Sequence, residues 1–113
     1  MTPTTKAMKQ SEPLYSSFGT DPELGEIVEL FVEEMPDRIQ MLIDQYDAND
    51  WHGLRRTAHQ LKGAAGSYGF DEISPRAARL ERFLGDDEPE EQIRSAVEEL
   101  IAVCGRVRPG GPG

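Results

Sequence analysis

The stretch 55-RRTAHQLKGAAGSYGF-70 holds a histidine, a lysine three residues further on, and glycines at 63, 66 and 69. An imidazole that is neutral near pH 7 is a nucleophile at its unprotonated nitrogen. It can attack an activated phosphoryl group without a strong base. What it needs is access, orientation and charge compensation. Lys62 brings a positive charge near His59 that attracts an anion delivered to the ring. The glycines strip away side chains that would keep another molecule off. Each glycine inside a helix costs ~1 kcal/mol relative to alanine, so their density here requires a reason.

The helix that must position these residues starts near Trp51, capped by Asn49 or Asp50, and ends at Gly69 or Phe70. Its apolar residues are Leu54, Ala58, Leu61, Ala65 and Tyr68. With His59 at zero and 100° per residue, those residues gather on the far side. Lys62 falls at about 300°, Gly63 at about 40°, Gly66 at about 340° and Ser67 at about 80°. The spacing therefore predicts an exposed His59 with Lys62, Gly63 and Gly66 on its face. Outward glycines are not explained by core packing. Clearance for a second molecule explains them, while Gly69 marks the end of the helix.

Three further helices follow from apolar periodicity. The first opens at 20-TDPE-23, with Thr20 or Asp21 as cap and Pro22 in the first helical position. Its stripe is Leu24, Val28, Phe31, Met35, Ile39, Leu42 and Tyr46. The stripe keeps its phase across Pro36, which predicts one long helix over about 22–48, kinked near Pro36, rather than two. A third helix after Asp71 or Ser74, with Pro75 in its first turn, carries Ile73, Ala77, Leu80 and Leu84, and Gly85 stops it. A fourth after 86-DDEPEE-91 carries Ile93, Val97, Leu100, Ile101 and Cys104. No period-two pattern and no internal repeat appear. The expected fold is all-α: an antiparallel up-and-down four-helix bundle over residues 14–105, with a short N-terminal extension. Residues 1–13 read as a flexible tail, with Leu14, Tyr15 and Phe18 tucking against the bundle. The Pro- and Gly-rich end, 106–113, reads as a second flexible tail.

Composition narrows the function. The 113 residues carry a formal charge of -9, from 21 acidic and 12 basic side chains. That argues against a nucleic-acid binder and against docking on an anionic membrane. One cysteine excludes an intramolecular disulfide and a CxxC metal site. There is no membrane-length apolar run and no apolar signal region, so the expected location is cytoplasmic.

The segment Ala58-His59-Gln60-Leu61-Lys62-Gly63-Ala64-Ala65-Gly66-Ser67-Tyr68-Gly69 resembles the H-x-L-K-G signature of histidine-containing phosphotransfer (HPt) domains. Asp21-Pro22-Glu23-Leu24 through Phe31 resembles the family's first bundle helix. Asp50-Trp51 with Leu54-Arg55-Arg56 resembles the lead-in to its histidine helix. The resemblance covers roughly residues 14–104 and implies a phosphocarrier in a multistep phosphorelay. His59 would accept a phosphoryl group from the aspartate of one receiver domain and pass it to another. Lys62 would meet the phosphoryl oxygens and Gly63 would leave room for the receiver. Arg55, Arg56, Gln60, Gly66 and Ser67 are the expected partner-facing positions. A polar residue on the next helix, Glu81 or Arg82, would orient the imidazole. The implied partners are response regulator receiver domains and a hybrid sensor histidine kinase. No cofactor is expected on the chain itself, Mg²⁺ belonging to the receiver.

Other readings fare worse. His52 and His59 lie seven residues apart, ~10 Å along a helix, too far to share one metal ion. No Glu-x-x-His pair occurs, against a di-iron bundle. A histidine kinase would need an ATP-binding domain that 113 residues do not accommodate. A Ser/His/Asp hydrolase needs an oxyanion hole that an exposed helix face does not offer. The competitor from another class is a helical adaptor that binds a receiver or other signalling partner without carrying phosphate. Four helices can close a bundle in one chain, which favours a monomer. Met1 and a tail at each end favour a stand-alone carrier over a fragment of a hybrid kinase.

Overall fold

The computed structural model describes residues 12–112. Four helices follow in order: α1 (Gly25–Asp47), α2 (Trp51–Ser67), α3 (Ile73–Gly85) and α4 (Glu90–Cys104). Each packs on the next and α4 closes on α1, with α2 and α3 the most closely packed pair. The short loops between them force antiparallel neighbours, so the architecture is the expected four-helix bundle.

Asp21 caps the entry to α1: its Oδ1 accepts from the N–H groups of Glu23 at 2.7 Å and Leu24 at 2.9 Å. Those are the orphan donors of a first helical turn. Regular helix begins only at Gly25, three residues later than expected. Leu24, counted in the apolar stripe, is accordingly exposed. Beyond it the stripe holds. Val28, Phe31, Met35 and Leu42 are buried on both sides of Pro36, and α1 runs through the proline as one helix.

Asp50 caps α2, its side chain accepting from Gly53 N–H at 3.0 Å. The helix buries Leu54, Ala58, Leu61 and Ala65. It stops where Gly69 adopts φ 81°, a conformation that a side chain disfavours. A Cβ at Gly69 would also collide with Ser16, Ser17 and Phe18. Phe31 stacks on Phe70 at 5.5 Å and tilts on Tyr68 at 5.0 Å, tying α1 to the end of α2.

The start of α3 differs from expectation: neither Asp71 nor Ser74 caps it, and no side-chain bond satisfies its first turn. The Ser74 hydroxyl instead donates to the carbonyl of Lys62 at 2.9 Å and so clips α3 to α2. The helix ends at Gly85, as expected, and the left-handed residue of the turn beyond it is Asp87 at φ 52°. Gly85 also makes room for Arg55, whose Nη2 would lie 2.9 Å from a Cβ there. In α4, Cys104 is fully buried, and burial pushes its thiol up to about 12. It is a core residue, as its place on the apolar stripe indicated.

The two ends of the described chain differ most from the sequence reading. The N-terminal tail expected over 1–13 lies almost wholly outside the described residues. The C-terminal tail expected from 106 does not start there. Leu14–Tyr15 (β1) and Val107–Arg108 (β2) form a two-stranded parallel ladder. Leu14 and Val107 are both buried in the core. Leu14 N–H donates to Arg106 C=O at 2.7 Å, and Arg106 Nε donates to Glu12 C=O at 2.8 Å. The physical reason is pairing: a backbone that reads as fraying in isolation is fixed once its polar groups meet a partner strand.

Candidate functional site

His59 sits near the middle of α2, on the side away from the core, with its side chain 64% exposed. The ring is not free to spin. Its Nδ1 lies 2.8 Å from Oε2 of Glu81, which α3 presents from across the α2–α3 groove. Oε1 of the same carboxylate accepts from Lys62 Nζ at 2.8 Å. One carboxylate therefore ties together the histidine and the lysine that share a face of α2. The bond from Lys62 is the main cause holding the Glu81 carboxyl below its usual range. His59 acts in the same direction and burial opposes both.

This geometry fixes the imidazole tautomer. An ionised carboxylate only accepts hydrogen bonds, so Nδ1 must carry the proton. In the neutral ring Nε2 then holds the lone pair, on the side away from Glu81. The nucleophilic nitrogen is the one a second molecule can reach.

The ground beside His59 is bare at one point and tight at another. A Cβ at Gly63 would meet nothing within 4 Å. A Cβ at Gly66 would lie 3.4 Å from Ser74 Oγ, so Gly66 also lets α3 approach α2. Of the other sequence-predicted positions, Arg55 lies with Lys62, Glu81 and Arg82 along a cavity of about 370 Å³ between α2 and α3. Gln60 lies on the opposite flank, in a groove of about 560 Å³ shared with Glu34, Asp37, Arg38 and Met41 of α1. Arg56 is exposed. Ser67 is the last residue of α2, ~12 Å along the helix from His59, and is not gathered with it.

The sequence left the choice between Glu81 and Arg82 open, and the structure resolves it: Glu81 touches the ring, while Arg82 packs over Phe83 with its Cζ 5.7 Å from the ring centre. Two features were missed. Ser74 anchors the Lys62 carbonyl, and its only sequence signal was a hydroxyl in a first turn, where it read as a cap. Ile27, Leu30 and Met41 stand exposed on α1. They lie off the stripe at helical spacing, which is the signal that could have singled them out.

A four-helix bundle with one exposed, oriented histidine midway along a helix defines the class of histidine phosphocarriers. The sequence model of the Hpt domain family matches residues 26–108, most of the chain, and the protein belongs to that family. Hpt domains carry phosphoryl groups on histidine in two-component phosphorelays, and deal with receiver domains and kinases; they are carriers and not catalysts. No curated protein and no solved structure matches the chain. Among the described residues no helix is long and apolar enough to cross a membrane.

Proposed function

We propose that His59 is the phosphoacceptor of this Hpt domain, shuttling a phosphoryl group between the aspartates of two receiver domains. The observation that carries the reading is the oriented imidazole. Nδ1 is engaged by Glu81, Nε2 is left as the nucleophile, and the open face at Gly63 lies beside it. A receiver docks over this face, with Arg55, Arg56 and Gln60 at its rim. Nε2 attacks the aspartyl phosphate in line, and Lys62 meets the phosphoryl oxygens. The chain needs no cofactor of its own; Mg²⁺ comes with the receiver. A hybrid sensor kinase is the expected upstream source.

The test is incubation with a phosphorylated receiver. Wild type takes up acid-labile phosphate and His59→Gln does not. Gly63→Gln stays folded but transfers at least about a hundredfold more slowly, because its side chain occupies the approach path. Label on His59→Gln overturns the assignment, and unchanged transfer in Gly63→Gln overturns the steric argument. A wild type that binds receivers yet never accepts phosphate is a helical adaptor instead.

A further inference from the structure

Two methionines of α1 stand in opposite surroundings. Met35 is 1% exposed and packs in the core, whereas Met41 is 50% exposed. Met41 borders the groove between α1 and α2, beside Thr57 and Gln60. Its sulfur accepts a hydrogen bond from Thr57 Oγ1 at 3.6 Å. Thr57 lies two residues before His59, less than one helical turn, so the thioether stands level with the imidazole. It does so on the flank of α2 away from Glu81. A flexible thioether left half in water suits a surface that another protein covers. A domain docked on His59 reaches it. Even a transient interface of about 600 Å² per partner is roughly 28 Å across, against about 10 Å for one helix.

Exposure also decides which sulfur an oxidant meets. Cys104 is fully buried, and burial holds its thiol protonated, away from the chemistry of a thiolate. Met35 is shut in beside it. Met41 is the accessible sulfur among the described residues. Resting on the phosphotransfer reading, we propose that Met41 is a modification site: peroxide converts it to the sulfoxide, and the sulfoxide weakens receiver docking while leaving the chemistry at His59 intact.

The step balances with hydrogen peroxide as the oxidant. A lone pair of the Met41 sulfur forms the S–O bond while the O–O bond of the peroxide breaks. The delivered oxygen gives its proton to the departing hydroxide, which leaves as water. Sulfur is oxidised by two electrons and the peroxide is reduced by two. A methionine sulfoxide reductase, drawing on a thiol reductant, reverses the change.

The product is polar where the thioether was apolar. A docked partner must then satisfy the sulfoxide oxygen or leave it dry at a cost. Arg38, the cation in the same groove, does not relieve that cost, since Glu34 already engages it at 3.1 Å. A receiver that met the thioether with apolar surface loses the contact, whereas Glu81, Lys62 and Gly63 lie outside the groove and are untouched.

The carrier alone is treated with hydrogen peroxide, the excess is removed, and the sulfoxide is mapped by mass spectrometry of its peptides. Met41 is converted at least about ten times faster than Met35. The oxidised chain still takes phosphate from phosphoramidate, a small donor that needs no docking surface. With a phosphorylated receiver its KM rises at least about fivefold while kcat stays nearly level. Met41→Leu, whatever its starting KM, shows no further rise after peroxide, although Met1 and Met8 remain in it. Met41→Gln, polar like the sulfoxide, has the raised KM without oxidant. Methionine sulfoxide reductase with dithiothreitol returns the oxidised wild type to its first value. Equal oxidation of Met35 and Met41, an unchanged KM in the oxidised chain, or the same loss in Met41→Leu overturns the inference and leaves phosphotransfer standing. A wild type that, before oxidation, takes phosphate from neither phosphoramidate nor a phosphorylated receiver overturns both.

Discussion

A histidine that is to attack phosphorus needs its lone pair outward and its proton held elsewhere, and a single carboxylate arranges both at His59. The same carboxylate makes the site sensitive to acid. Glu81 titrates below its ordinary value of 4.5 in the folded chain, through the bond from Lys62 first and that from His59 second. A carboxylate lowered by folding contributes stability that is present above its unfolded value and is lost as pH falls through the folded one. Wild type should therefore exceed Glu81→Gln in urea midpoint at about pH 6, with the gap closing towards about pH 3. A gap that stays constant with pH would show that the ion pair contributes nothing through its charge. His59 and Lys62 were legible as a chemical pair because they sit on one helix at a fixed angular offset. Glu81 was only half legible. Which of residues 81 and 82 faces α2 depends on how α3 is rotated against it, and that rotation is set by Ala77 and Leu80 entering the core and by Ser74 reaching the Lys62 carbonyl.

At the scale of the element, the clearance proposed at Gly63 would cost α2 some of its own stability. Gly63 and Gly66 each forgo helix propensity, but for different reasons. Nothing lies within 4 Å of a Cβ at Gly63, so Gly63→Ala should stabilise the bundle by about 1 kcal/mol. At Gly66 the new methyl meets Ser74 Oγ at 3.4 Å, and moving that hydroxyl strains its bond to Lys62 C=O. Gly66→Ala should return less of the propensity gain. Urea denaturation of the two variants checks this; a larger gain at Gly66 would mean that the α2–α3 contact is loose. The helical stripes themselves were legible because burial of one face imposes a period near 3.6 on every helix of the bundle. Pro36 did not break α1 because Met35 and Leu42 still reach the same core on either side of it. What periodicity did not convey was where the first turn of α1 becomes regular, since Asp21 already satisfies its donors before Gly25.

At the scale of the whole molecule, the segments flanking the four helices, Leu14–Tyr15 and Val107–Arg108, pair with each other and join the core of the bundle. Two-residue strands carry no periodic signal, and 106-RVRPGGPG-113 has the composition of a fraying end, so the β1–β2 ladder was not legible in the sequence. Its energetics are nonetheless those of the core. Val107 is 5% exposed and joins the same apolar cluster as Leu14. Burying a valine side chain contributes roughly 1.5–3 kcal/mol, a sizeable part of the 5–15 kcal/mol that small domains possess. Removing residues 107–113 takes away that burial together with the β2 strand that pairs with β1. The truncated chain should lose at least about 1.5 kcal/mol, read as a lower urea midpoint. Val107→Ser keeps the backbone ladder and removes only the apolar contact, so it should recover part of the loss. Phosphate uptake at His59 should survive both changes, because the ladder supports the bundle without touching Glu81, Lys62 or Gly63. Equal stability of the truncated and untruncated chains would mean that β1 and β2 lie on the bundle without holding it together.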